Sequence, residues 1–175
     1  MNNDYDSEFG RNNNNYLNEY IRFADTKAGI LLAIEGGFLV KLSDNWSKIL
    51  SNISGGKDLT PIFSIELQLT LLVIATIIML LSTIATLWVI IPRLGEKSKR
   101  GYIFWENIAE FPSAKKYVEE VFELSKKELD SILLEQNYYL ARTAKRKYRV
   151  LRLAFILGSI AILINIPVIV FCTGL

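Results

Sequence analysis

Residues 67–91 carry no ionisable side chain and are rich in Leu, Ile, Val and Thr, with Trp88 near the end and Pro92 just beyond it. At ~1.5 Å per residue a helix of this length reaches roughly 37 Å, more than the ~30 Å hydrocarbon core of a bilayer. A core helix of a water-soluble domain carries a polar face. Here Gln68, Thr70, Thr76, Ser82, Thr83 and Thr86 are scattered and uncharged. A transmembrane helix is the structure this segment dictates, and the remaining segments are arranged around it.

A second uncharged run, residues 153–172, contains Asn165 and Pro167 and predicts a last span. A third is less direct. Leu17, Tyr20, Ile21 and Ala24 recur at helical spacing, and the apolar run 28–40 follows, broken only by Glu35. Thirteen residues make only ~20 Å. Extending the helix to residue 42 supplies the length, with Lys27 and Lys41 placed to snorkel toward opposite interfaces. Glu35 then lies at membrane depth, where a carboxyl faces protein or water. Gly36 and Gly37 permit close helix approach. A re-entrant or interfacial helix is the alternative for this segment.

The expected organisation is therefore a polar tail over residues 1–15, a cytoplasmic helix leading into the first transmembrane helix over 16–42, and an extracytoplasmic loop over 43–66. The loop carries Asn52, Gly55, Gly56 and Pro61, and Trp46 suits an interfacial ring. The second transmembrane helix takes 67–91, a cytoplasmic helical region 92–152, and the third transmembrane helix 153–172. No Gly or Pro occurs between Pro112 and Gly158. One long helix is expected from Ser113 into the membrane, with a heptad-like seam at Val118, Phe122, Ser125, Leu129, Ile132, Gln136, Tyr139 and Thr143. The fold class is an all-α membrane protein: three transmembrane helices, and a helical cytoplasmic insert continuous with the last span.

Composition narrows the chemistry. The chain is 51% hydrophobic yet 22% charged, a mixture that fits spans joined to a water-facing part. Histidine is absent and Cys172 is the only cysteine, so an intrachain disulfide and a cysteine-based zinc site are excluded. No cofactor is expected. The polar, acidic start lacks the basic and apolar regions of a signal peptide. Glu106 and Glu110 are at helical spacing, but on so charged a segment they read as a solvated face. With no glycine-rich phosphate loop either, an enzyme is the weakest class.

Between residues 93 and 152, Lys and Arg outnumber Asp and Glu, and they crowd both membrane edges. Arg93, Lys97, Lys99 and Arg100 mark one edge, and residues 142–152 the other. The positive-inside rule makes this insert cytoplasmic. With three spans the N-terminus is cytoplasmic as well and the C-terminus extracytoplasmic. The clusters serve as topology signals beside anionic lipid, or in part as phosphate ligands, since arginine matches phosphate oxygens and aromatic faces stack on bases.

The stretch 20–34, Tyr-Ile-Arg-Phe-Ala-Asp-Thr-Lys-Ala-Gly-Ile-Leu-Leu-Ala-Ile, resembles the signature of the Pycsar transmembrane effector family, in which a Phe-Ala-Asp-Thr-Lys-Ala-Gly core leads into the first membrane helix. Tyr-Ile-Phe-Trp-Glu-Asn-Ile-Ala at 102–109 resembles that family's aromatic segment. Residues 136–152, with Leu140, Ala141, Lys147, Tyr148, Leu151 and Arg152, form a third, looser likeness. The resemblance covers most of the chain from Tyr16 onward. It implies a bacterial antiphage effector of the inner membrane. A partner cyclase would make a cyclic pyrimidine mononucleotide, cUMP or cCMP, and the effector would bind it and impair membrane integrity, causing abortive infection.

With that resemblance the candidate ligand-binding residues are Arg22, Asp25, Lys27, Phe104, Trp105, Asn107, Arg142 and Arg146. Arg22 or Lys27 is placed to meet a phosphate, and Asp25 to accept from a sugar hydroxyl or orient a basic neighbour. Alternatively, Asp25 and Lys27 form an interfacial pair that fixes helix depth. Phe104 and Trp105 offer a base platform or core packing, and Asn107 a partner for a pyrimidine edge. Arg142 and Arg146 offer phosphate contacts or topology signals. The expected partners are this nucleotide, the lipid bilayer and further copies of the chain, since three spans cannot line an aqueous pore alone; no nucleic-acid polymer is expected. The competing reading is a non-gated membrane scaffold or a small subunit of a transport complex.

Overall fold

The computed structural model describes residues 7–55, 65–91 and 101–173. Every regular element among them is helical: α1 (Ser7–Gly55), α2 (Ile65–Ile90), α3 (Trp105–Ala109), α4 (Ala114–Glu123) and α5 (Lys126–Thr173). The chain divides into two units. The first comprises Met1–Ala24 and Pro92–Lys147, and the second comprises Asp25–Ile91 and Tyr148–Leu175. Helices α1 and α5 each contribute to both.

In the second unit the buried positions fall at alternating steps of three and four. On α2 they are Gln68, Leu72, Ala75, Met79, Ser82, Thr86 and Val89. On α5 they are Leu151, Ala154, Gly158, Ala161, Asn165 and Val168, and α1 adds Ala28, Leu31, Glu35, Leu42, Asn45 and Ile49. A 3.5-residue repeat is the seam of a left-handed helical bundle. The Trp46 indole N–H donates to Thr76 Oγ1 at 3.1 Å, and Leu42, Ile49, Leu72, Ala75, Met79, Ala161 and Val168 form the apolar cluster.

This bundle buries polar side chains among its apolar core and exposes many large apolar ones. Glu35, Asn45, Gln68, Ser82, Thr86 and Asn165 are buried, whereas Ile34, Ile77, Leu81, Ile84, Leu163 and Ile166 are exposed. Only 28% of the apolar stretch of either α2 or α5 is buried, too little for core helices of a water-soluble protein. Among the described residues two helices are long and apolar enough to cross a membrane, Glu66–Ile90 and the C-terminal part of Lys126–Val168. The expectation of three such helices is corrected on that measure. Glu35, Lys41 and Asp44 interrupt α1 too often for it to qualify by composition.

Other boundaries move as well. The segment expected as a tail is helical from Ser7, and the segment expected as a loop from Ser43 is helical to Gly55. Trp46 packs against the apolar cluster rather than standing free as an interfacial ring. A Cβ at Gly36 or Gly37 would meet nothing within 4 Å, so these are not the close-approach glycines. Gly158 is: a Cβ there would lie 3.1 Å from Ser82 Oγ and 3.5 Å from Glu35 Oε1.

The single long helix expected from Ser113 is two helices, α4 and α5, broken at Leu124 and Ser125. Ser125 caps α5. Its backbone N–H and hydroxyl donate to Glu128 Oε2 at 2.8 and 2.6 Å, and the Glu128 N–H donates back to Ser125 Oγ at 3.3 Å. This is a reciprocal capping box, and the preceding helix ends beside it at Leu124, whose backbone is extended. At the other break Ser113 caps α4, accepting from the Lys116 N–H at 3.2 Å.

The hydroxyl and backbone N–H of Ser125 hold the Glu128 carboxyl below its ordinary range. A depressed carboxylate contributes stability that is present above its unfolded value and is lost as pH falls through the folded value. Protection of the first-turn amides of α5, corrected for the intrinsic exchange rate at each pH, is therefore expected to be higher at neutral pH and to fall under acid conditions. Ser125→Ala, which keeps the backbone donor to Glu128 and loses the hydroxyl, is expected to weaken that dependence and cost about 1 kcal/mol. Exchange measured by mass spectrometry across a pH series checks this, and a wild-type first turn whose protection is indifferent to acid removes the capping box as what holds that turn.

Candidate functional site

The first unit is held together by amides and tyrosines. Asn18 Nδ2 donates to Asn14 Oδ1, Asn14 Nδ2 to Asn137 Oδ1, and Asn137 Nδ2 to the Gly10 carbonyl, each at 2.9 Å. Asn137 is buried. Asparagine is a poor helix former, yet the run 12–15 is helical because this chain of amides ties α1 to α5. Beside it, the Tyr117 hydroxyl donates to the Tyr102 carbonyl at 2.9 Å and the Tyr102 hydroxyl to Glu120 Oε2 at 3.3 Å. Phe111 packs against Tyr117, with ring centres 5.2 Å apart.

Of the residues expected to bind ligand, Arg22, Phe104, Trp105, Asn107, Arg142 and Arg146 belong to this unit. Arg142 and Arg146 are one turn apart on α5 and both exposed, and Arg142 stacks over the Tyr138 ring at 5.9 Å. The pairing of Asn14 with Asn137, with α1 and α5 running in the same direction, puts Arg22 level with residues near 145. Arg22, Arg142 and Arg146 thus share one level of the first unit. Phe104 starts α3 and is half-buried. Asn107 lies over Gly101, where a Cβ would come within 2.1 Å of its Nδ2, so a side chain there would require the Asn107 amide to move. Trp105 begins α3, and its side chain lies outside the described residues, as do Arg93, Lys97, Lys99 and Arg100.

Asp25 and Lys27 belong to the second unit. Asp25 is half-buried, and Lys27 is exposed with its ammonium over the Tyr148 ring at 5.7 Å. Arg142 on Tyr138 and Lys27 on Tyr148 repeat one pattern, a cation on an aromatic face ten α5 residues apart. Cation and ring placed together suit a phosphate and a base presented by one small ligand.

The second unit also contains a polar knot. Ser82 Oγ lies 2.5 Å from Glu35 Oε1 and 2.8 Å from the Ala154 carbonyl oxygen. Thr86 Oγ1 lies 3.2 Å from Glu35 Oε1 and 3.0 Å from the Ser82 carbonyl. Three helices thereby meet at one carboxyl, with Gly158 providing the room. Glu35 was legible in the sequence as an acid at depth, but its partners were not. Their signal is spacing: Ser82 lies two heptads beyond Gln68 on α2, and Thr86 continues the same seam. Asn14 and Asn137 carried no such signal, lying 123 residues apart.

Residues 10–174 match the family model for the Pycsar effector protein domain, PycTM. The Pycsar effector protein SaPycTM of Staphylococcus aureus is 33% identical over 153 residues, covering 87% of this chain and 87% of that protein. No solved structure matches the chain.

Asn137→Ala removes the centre of the amide chain and leaves the Gly10 carbonyl and the Asn14 amide without it. The expected cost is about 1–3 kcal/mol, with faster amide exchange over residues 7–20. Unchanged protection there would show that α1 is ordered by something other than Asn137.

Proposed function

The chain belongs to the Pycsar effector family, and from this we propose that it is an antiphage effector that senses a cyclic pyrimidine mononucleotide, cUMP or cCMP, and impairs the inner membrane, causing abortive infection. The observation that carries the membrane half of this reading is the exposed apolar surface of the second unit, with polar side chains buried among its core residues. Hydrocarbon rewards that arrangement and water does not. Residues of α1 from Ala28 to Ile49 contribute to the same seam as α2 and α5, which supports α1 as a third crossing despite its charges. Lys27 and Lys41 bracket that crossing, and Glu35 turns inward, where polar partners meet it.

The sensing half rests on the residues that the family resemblance singles out. In this reading Arg22, Lys27, Arg142 and Arg146 supply phosphate contacts, Asp25 meets the ribose, Phe104 and Trp105 stack the base, and Asn107 reads its edge. The ligand comes from a partner cyclase. The region 92–152 and the N-terminus are cytoplasmic, where that ligand is made, and the C-terminus is extracytoplasmic. The chain acts as a homo-oligomer, because three helices per copy cannot enclose an aqueous path. Val118 and Phe122, exposed at 44% and 83% one turn apart on α4, are available for that assembly. The ligand acts by favouring one arrangement of helices over another, with no chemical change to the nucleotide.

Purified protein in vesicles is expected to release an entrapped dye on addition of cUMP or cCMP, and the nucleotide is expected to be recovered intact. Calorimetric titration should give a defined stoichiometry, weakened at least tenfold by Arg142→Ala with Arg146→Ala. A chain that binds neither nucleotide and leaks with neither is a scaffold or a transport subunit instead. In a Cys172→Ser background, Glu119→Cys is expected to react only with a label delivered from the cytoplasmic side; labelling from the periplasm would reverse the topology.

A further inference from the structure

Glu35 is the one buried ionisable side chain among the described residues of the second unit. Its polar contacts are the hydroxyls of Ser82 and Thr86, and among the described residues no cation pairs with it. From α2 it is faced by Ser82 and Thr86, from α5 by Gly158, and on its own helix Leu31 closes the site beside it; none of these is titratable or charged.

The hydrogens can be counted. Ser82 has one hydroxyl proton but two oxygen neighbours within bonding distance, Glu35 Oε1 and the Ala154 carbonyl. The carbonyl has no proton to offer. If Ser82 donates to Ala154, its contact with Glu35 has a hydrogen only if Glu35 supplies it. If Ser82 donates to Glu35 instead, two bare oxygens face each other at 2.8 Å. Thr86 does not help, since its single proton is shared between Glu35 and the Ser82 carbonyl. The other carboxyl oxygen, Glu35 Oε2, is buried with no hydrogen-bond partner. That costs far less for a neutral acid than for a carboxylate, whose charge demands donors on both oxygens.

We propose that Glu35, Ser82, Thr86 and the Ala154 carbonyl form a proton-binding site inside the bundle. Glu35 Oε1 carries the proton and donates it to Ser82 Oγ, Ser82 donates to the Ala154 carbonyl, and Thr86 shares its proton between the Ser82 carbonyl and Glu35 Oε1. The bound proton is the tie between α1, α2 and α5. Separating the three helices exposes Glu35 to water, where the acid releases the proton, so opening of the bundle and proton release are linked. This rests on the reading of the bundle as embedded in lipid, which keeps water from substituting for the proton.

The test is infrared spectroscopy of the full chain in lipid vesicles at neutral pH without nucleotide. Wild type is expected to show a deuterium-sensitive carbonyl band of a protonated carboxylic acid that is entirely absent from Glu35→Gln. The glutamine is neutral and donates to Ser82 in the same way, so the bundle is retained. Ser82→Ala is expected to keep the band and move it to higher frequency, because the acid loses its acceptor. Identical wild-type and Glu35→Gln spectra in that region overturn the proposal, and so does loss of the band on adding sodium at constant pH, which would make a metal ion the occupant. A band without nucleotide-induced leakage leaves the proton site standing and removes the sensing function; leakage without a band does the reverse.

Discussion

The three-way contact at Glu35 carries the argument for how this bundle chooses its inside. Where the outer surface is as apolar as the interior, burial of Leu or Ile does not tell one face of a helix from another. Hydrogen bonds and small side chains make the choice. On α2 nearly every residue is apolar, and the seam is marked by Gln68, Ser82 and Thr86. On α5 it is marked by Ala154, Gly158, Ala161 and Asn165. Rotating α2 by one residue would carry Ser82 away from both Glu35 and the Ala154 carbonyl and leave a buried carboxyl without its hydroxyl partner. The cost of that orphaned carboxyl fixes the rotation.

The same seam divides its work along its length. Leu42, Leu72, Ala75, Met79 and Ala161 separate Glu35 from Asn45 and Asn165. Among the described residues the side-chain amides of Asn45 and Asn165 have no hydrogen-bond partner, whereas Glu35 is gripped on one oxygen. Pro167, two residues beyond Asn165, also removes a helix hydrogen bond from α5. The carboxyl end of the seam is therefore the better satisfied, and the end near Asn45 and Asn165 is the less specified.

What the sequence disclosed follows from how far each signal reaches. The uncharged run of α2 is local and needs no partner to be recognised, and its observed limits, Ile65–Ile90, differ from the expected ones by a residue or two. The end of α4 was legible too: Ser125 and Glu128 stand at capping-box spacing, but a heptad reading claimed Ser125 as a seam position and hid it. The N-terminal helix was not legible, because helix propensity argues against an asparagine run and the partner that outweighs it, Asn137, is distant in sequence. For the ligand site, the resemblance named residues that the structure divides between two units, with Arg22, Arg142 and Arg146 brought level by the register of α1 on α5. Spacing alone placed Arg142 beside Arg146; it had no means of bringing Arg22 to them.

Two of the three seam helices, α1 and α5, run unbroken through the boundaries at residues 24 and 147, and α2 belongs to one unit alone. In the second unit Ser82 is the α2 side chain that touches Glu35 of α1 and the Ala154 carbonyl of α5 together. One hydroxyl cannot follow both partners when they move apart. Any rearrangement of α1 against α5 must therefore break one of its two contacts, and the helix that held them in register is then free to turn.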